Sequence, residues 1–293
     1  MKQTKIHAGQ IEADVTSEGE FGWCGLSQFS HKESEREWLL SPAFTLEHYI
    51  GIPMNSDDYI EYEPCYSPKH LECISTDSCT LRYEPASCSQ IDCAITYRAA
   101  APHYVDIDVC MKTHRPEWPL NHVALFFATI VKAPIYAGIT LLGTGMDVEV
   151  KGGNPWIHFN GLATQGGRTV HPIGLEHPEL PRPTSPPEAY YYDDSSVRFT
   201  EPFFYATVDQ MVLAVMFRPE NKNDVRFVVN PLAPAFGGPA WDFFWSIQAP
   251  QAGKEYRLSA RSLFKPFVGA DDILSEYEQF VQGQKESSES KLH

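Results

Sequence analysis

Between Asp92 and Val131 the chain alternates apolar and polar residues with a period of two, breaks twice, and ends in a run that is apolar at nearly every position. Ile95 and Tyr97 alternate with Thr96 and Arg98 until Ala99 to Pro102 interrupt them. A second strand, His103 to about Lys112, places Val105, Ile107, Val109 and Met111 on one face. Tyr104, Asp106, Asp108, Cys110 and Lys112 fall on the other, the signature of a half-buried antiparallel strand. The link RPEWPLN is a turn, because Pro116 and Pro119 have no N–H to give to a ladder. From His122 to Val131 both faces are apolar, which predicts a strand inside a sheet and covered on both sides.

Similar short strands recur along the rest of the chain. YIEYEPCY, HLECIS and CTLRYEP are separated by turn residues, and AGITLLGTG and PWIHFNG follow the organising stretch. FFYATV and MVLAVMF read as a hairpin turning at Asp209-Gln210. VRFVVN, WDFFWSIQ and EYRLSARSLFKPF complete the set. Closely spaced strands without intervening helices predict a sandwich or barrel. The segment HKESEREWLLSPAF reads as a short helix ended by Pro42. Near the C-terminus, Ile273, Leu274, Tyr277, Phe280 and Val281 form an amphipathic stripe, with Asp271 and Asp272 at the N-terminal end and Gly283 as a stop. The expectation is an all-β protein, a large antiparallel β-sandwich with one C-terminal helix. Residues 1–54 form an extension packed on the sandwich, 55–268 the sandwich, 269–283 the helix and 284–293 a disordered tail.

The net charge of −15 in 293 residues argues against sequence-independent nucleic-acid binding and against anionic membrane surfaces. No leader-like apolar segment and no run of transmembrane length is evident, so the expected location is cytoplasmic. The seven cysteines contain no CxxC pair, so reduced thiols are expected and no metal or other cofactor is called for. The Pro-rich loop from Gln165 to Ala189 carries His171, Glu176 and His177.

Candidate chemistry rests on imidazoles and one carboxylate. His103 and His122 each open a strand, and on neighbouring strands they would meet at one rim of a sheet, as a proton-transfer pair requires. Asp242 lies beside Trp241 in an aromatic strand, a combination suited to a pyranose, whose CH face stacks on a ring while an acid holds its hydroxyls. Trp156, His158, His171, Tyr191 of the run Tyr190–Tyr192, Arg226 and Glu255 complete the substrate-binding set. Asp106 and Asp108 share a face but lack the further ligands of a calcium site. No G-x-S-x-G, Walker or H-E-x-x-H motif is present.

Asn121-His122 followed by Phe126 and Phe127, in an order of many short strands closed by KPFVG, resembles the galactose mutarotase-like β-supersandwich. There, an Asn-His pair opens a Phe-rich strand and the histidine helps protonate the sugar ring oxygen. This chain departs from that pattern in placing Val123-Ala124-Leu125 between the histidine and the phenylalanines. The resemblance implies a second histidine, for which His158 or His171 would serve, and a late glutamate base, for which Glu255 would serve. It implies a small-molecule sugar or oligosaccharide as ligand. The expected activity is acid/base proton transfer on a sugar, by an epimerase or a β-eliminating lyase. A non-catalytic carbohydrate-binding module and a glycoside hydrolase are the alternatives, and a homo-oligomer is compatible with each.

Overall fold

A computed structural model describes residues 2–34, 37–53, 56–134, 137–145, 155–160, 169–175, 194–233 and 237–289. A three-stranded N-terminal sheet comprises β1 (Gln3–Ala8), β2 (Ile11–Thr16) and β3 (Gly25–His31). After β4 (Thr45–Ile50) and the single-turn helix α1 (Glu63–Tyr66) come β5 (Lys69–Cys73), β6 (Ser78–Tyr83), β7 (Ile91–Ala100), β8 (Tyr104–Thr113) and β9 (His122–Ala128). The chain continues through β10 (Ile139–Thr144), β11 (Trp156–Phe159), β12 (Thr169–Pro172), β13 (Asp194–Val208), β14 (Met211–Phe217), β15 (Val225–Ala233), β16 (Gly238–Gln248) and β17 (Glu255–Pro266), and closes with helix α2 (Ala270–Glu289).

Among the described residues the large sheet runs β4-β9-β16-β15-β12-β13-β14-β17-β8-β7-β6-β5, with β10 bonded to β13 and β11 to β10. Its inward side chains meet in one continuous core, so the two halves of the sheet face each other across it. Val105, Ile107, Val109 and Met111 join that core from β8, and Val123, Leu125 and Phe127 from β9. Phe127 stacks on Phe243 at 4.8 Å, and the Tyr97 hydroxyl reaches the Phe44 carbonyl from the opposite half. This is the all-β sandwich with a C-terminal helix that the alternation predicts. The hairpin at Asp209-Gln210 is present, with Asp209 in the left-handed region at φ 56°.

Four local expectations are corrected. Residues 31–44 form no helix among those described: Trp38 instead packs edge-on against Phe264 at 4.9 Å, and Leu39 bridges to Val131. YIEYEPCY is a turn and α1 rather than a strand, because the Glu63 carboxylate turns inward to accept the backbone N–H groups of Cys88 and Ser89 at 3.1 Å. Helix α2 passes through Gly283 to Glu289. The segment before residue 54 is not only an extension, since β4 is a strand of the large sheet, bonded to β9.

Helix α2 covers the outer face of β13, β14 and β17, burying Ile273, Tyr277 and Phe280 against Phe203, Val212, Ala214 and Leu263. Its seat is polar. The Glu276 carboxylate accepts from Lys265 Nζ (2.6 Å) and the Tyr104 hydroxyl (2.5 Å) and pairs with His103 Nε2 (3.1 Å). Burial alone would raise this carboxyl, but those hydrogen bonds outweigh it and hold Glu276 down at about 2. No described helix is long and apolar enough to cross a membrane.

Candidate functional site

On β9, β15 and β16 the odd-numbered residues enter the main core and the even-numbered ones point to the opposite face. That second face is also apolar in the middle, where Ala124, Phe126, Ala128, Val228 and Phe244 pack with Ile50. Ionisable side chains surround this apolar patch. In strand register His48 on β4 lies opposite Phe126, Phe126 opposite Phe244, and Phe244 opposite Arg226. One position beyond the pair Val170–Phe227, His171 lies alongside Arg226, and on its other side His171 is the direct partner of Arg198. One step along the strands Asp242 is the partner of Val228, which in turn faces Thr169. With strands ~4.8 Å apart, the stretch from Phe244 to His171 spans roughly 10 Å, the size of one or two sugar rings.

These groups are buried: Asp242, Arg226 and His48 are each 4% exposed and His171 3%. Burial sets their protonation. Taking a carboxylate out of water disfavours its charge, and Asp242 is pushed up to about 8 even though the backbone N–H of Thr129 donates to it at 2.8 Å. Burial pushes the His171 imidazole down to about 3, helped by the positive charges of Arg226 and Arg198, and burial alone does the same for His48. At neutral pH the face therefore presents a carboxyl that holds its proton, two uncharged imidazoles and two guanidiniums. A proton donor on β16 and a proton acceptor on β12 stand on the same face, with β15 between them. Perturbed groups gathered in this way are characteristic of functional sites.

Three of the sequence candidates, Asp242, Arg226 and His171, share this face. His122 is on the same face but remote along β9, and the others lie elsewhere. His103 and His122 are not on neighbouring strands, since seven steps of the sheet order separate β8 from β9. His103 serves the seat of α2. His122 is buried at the start of β9 opposite Gln248, with Nδ1 3.1 Å from the Leu120 carbonyl. Six residues of strand separate His122 from Ala128, beside which Asp242 lies, or roughly 20 Å. Trp241 points into the main core, opposite to Asp242, with its indole N–H donated to the Ala137 carbonyl; it cannot stack on a ligand that Asp242 holds. Trp156 packs edge-on to Phe203 and Tyr205 near α2, and the exposed His158 bonds Thr140 on β10. Glu255 is on the solvent face of β17, paired with Arg257, whose hydrogen bond lowers it. Tyr191, Glu176 and His177 lie outside the described residues.

His48 was the residue that sequence reasoning passed over. Its strand, TLEHYI, is buried at every position, and in the sequence the only signal is that His48 follows Glu47 on the period-two phase of the apolar Leu46 and Ile50. Among the described residues no group of three or more His, Cys, Asp or Glu side chains is placed to hold a metal ion. Asp106 and Asp108 are engaged by Arg261 and Ser259.

No family model and no curated protein sequence matches the chain. Solved structures do. A candidate aldose 1-epimerase of Escherichia coli K12 superposes with a TM-score of 0.51 at 8% identity, over 90% of this chain and 100% of that one. A galactose mutarotase related enzyme of Lactobacillus acidophilus gives 0.50 at 8% identity over 90% and 97%. A protein of Synechocystis sp. PCC 6803 gives 0.52 at 8% identity over 90% and 96%. At that identity the likeness is one of fold, and the fold is the galactose mutarotase-like supersandwich that the strand order resembles.

Proposed function

We propose, from a fold shared with aldose epimerase-like structures, that this chain binds a sugar against the β9-β16-β15-β12 face and interconverts its anomers by proton transfer. Anomer exchange needs a proton delivered to the ring oxygen and another taken from the anomeric hydroxyl. Asp242, protonated at neutral pH, is the donor in this reading, and the uncharged His171 is the acceptor. Arg226 and Arg198 orient the ligand and make sugars bearing a carboxylate part of the substrate range. Phe126 and Phe244 form the apolar floor, and His48 closes the far side. The observation that carries the reading is Asp242, a buried carboxyl whose position on the sheet and retained proton suit an acid and which forms no ion pair among the described residues.

The test is proton NMR of the anomeric region during exchange of neutral and uronic aldoses, with the wild type, Asp242→Asn and His171→Gln. The expected result is exchange accelerated by the wild type and lost in both variants. Exchange unchanged in both variants, or no acceleration with any sugar, overturns the proposal. New vinylic signals would mean elimination in place of epimerisation.

A further inference from the structure

The hairpin β5–β6 places two cysteines directly opposite each other. Cys73 and Cys79 are register partners, as are Leu71 with Leu81 and Lys69 with Tyr83. The hydrogen bonds fix which kind of pair this is. Ile74 N–H donates to the Ser78 carbonyl (2.9 Å), and at the other end Glu84 N–H donates to the Pro68 carbonyl (3.0 Å). Both belong to the alternate, hydrogen-bonded positions of the ladder, so Cys73–Cys79 occupies a non-hydrogen-bonded position. There the Cα atoms approach to ~4.5 Å, at the short end of the ~4.4–6.8 Å window of disulfides. Both side chains point to the same face, that of Leu71 and Leu81. Both thiols are free in this structure, Cys73 exposed and Cys79 fully buried.

Among the described strands no other cysteines are register partners. Cys93 faces Met111 and Cys110 faces Ala94. The exposed Cys73 thiol donates to the nearby Ser75 carbonyl at 3.3 Å, a contact it must leave to reach Cys79.

We propose that Cys73 and Cys79 form a redox-responsive pair that closes to a disulfide across this hairpin when the chain meets a small-molecule disulfide such as glutathione disulfide. The exposed Cys73 thiolate attacks one sulfur of glutathione disulfide and displaces one glutathione thiolate, leaving a mixed disulfide. The Cys79 thiol then attacks Cys73 Sγ, and its proton passes to the departing second glutathione thiolate. Two protein thiols are oxidised to one disulfide and one glutathione disulfide is reduced to two thiols. A bond at the short end of the geometric window is strained and readily reduced, as a reversible switch requires. What it locks is the register of β5, the edge strand of the large sheet, whose hairpin tip also accepts the His7 N–H at the Thr76 carbonyl (3.3 Å).

The test is incubation of the intact chain with graded ratios of oxidised to reduced glutathione, followed by alkylation, tryptic digestion and mass spectrometry. Lys69 and Arg82 bound one peptide containing both cysteines. The expected result is that this peptide loses the mass of two hydrogens and resists alkylation, reversibly with dithiothreitol, and that Cys79→Ser stops at Cys73 glutathione mixed disulfide. A wild-type Cys73 that stays glutathionylated with Cys79 still alkylatable, or a Cys79 linked to any other cysteine, overturns the proposal.

Discussion

The carboxylate of Asp242 accepts the backbone N–H of Thr129 at 2.8 Å, the position at which β9 leaves its ladder with β16. This one bond aims Asp242 across the strands, yet burial still leaves the carboxyl protonated near neutral pH. Between the unfolded value near 4 and about 8 the folded chain keeps a proton that the unfolded chain releases. Stability therefore falls as pH rises through that window, by up to ~1.4 kcal/mol per pH unit, and levels off above it. Asp242→Asn removes the dependence. Denaturant titrations of both proteins at intervals from pH 5 to 8 are expected to show the Asn variant gaining on the wild type as pH rises; parallel curves would mean that Asp242 is already ionised.

His171 and His103 separate the candidate site from the structural histidines. His171→Gln is expected to lower the turnover of anomer exchange by about 10²- to 10⁴-fold, the usual worth of a general acid or base. His103→Gln weakens the seat of α2 and leaves turnover per folded molecule unchanged. Equal losses of turnover in the two variants would contradict this assignment.

Glu276 ties α2 to β8 and β17 through three partners. Its folded value lies below the unfolded one, so its contribution is present above about 4.5 and is lost as pH falls toward about 2. Glu276→Ala leaves Lys265 buried beside His103 without this carboxylate, at a cost of about 3 kcal/mol. Hydrogen exchange of residues 270–283 should accelerate selectively, and uniform acceleration across the sheet would show that the seat is not local.

Gly51 sits at φ +137°, and a Cβ there would lie 2.3 Å from the His122 carbonyl oxygen and 3.1 Å from the Trp118 ring. Gly51→Ala is expected to destabilise the chain by about 2–4 kcal/mol through backbone strain and overpacking. A change of midpoint within error in chemical denaturation would show that β4 and β9 can part there without cost.

What could be read from the sequence was local. The alternation of β7 and β8, the doubly apolar β9 and the turn at Asp209-Gln210 follow from side-chain period and turn chemistry. Strand order did not, because it depends on which distant segments pair. His103 and His122 open consecutive strands in the sequence, yet the sheet sends β8 and β9 to different partners. The alternation of WDFFWSIQ itself puts Trp241 and Asp242 on opposite faces, so their separation was legible and the shared sugar site was not a valid reading of it. His48 stayed hidden because it falls on the apolar phase of its strand, with Leu46 and Ile50, where a histidine reads as a core residue.

The candidate face joins His48, Phe126, Arg226 and Phe244 in one lateral row. Its partners are far apart along the chain: Phe127 pairs with Phe243 and Leu46 with Phe127. Closing such long loops is slow compared with local pairing. During synthesis the row cannot assemble until β16 has left the ribosome, so β9, apolar on both faces and with only β4 to pair with, leaves one edge open while more than a third of the chain is made. That open apolar edge is a place where nascent chains can pair with one another.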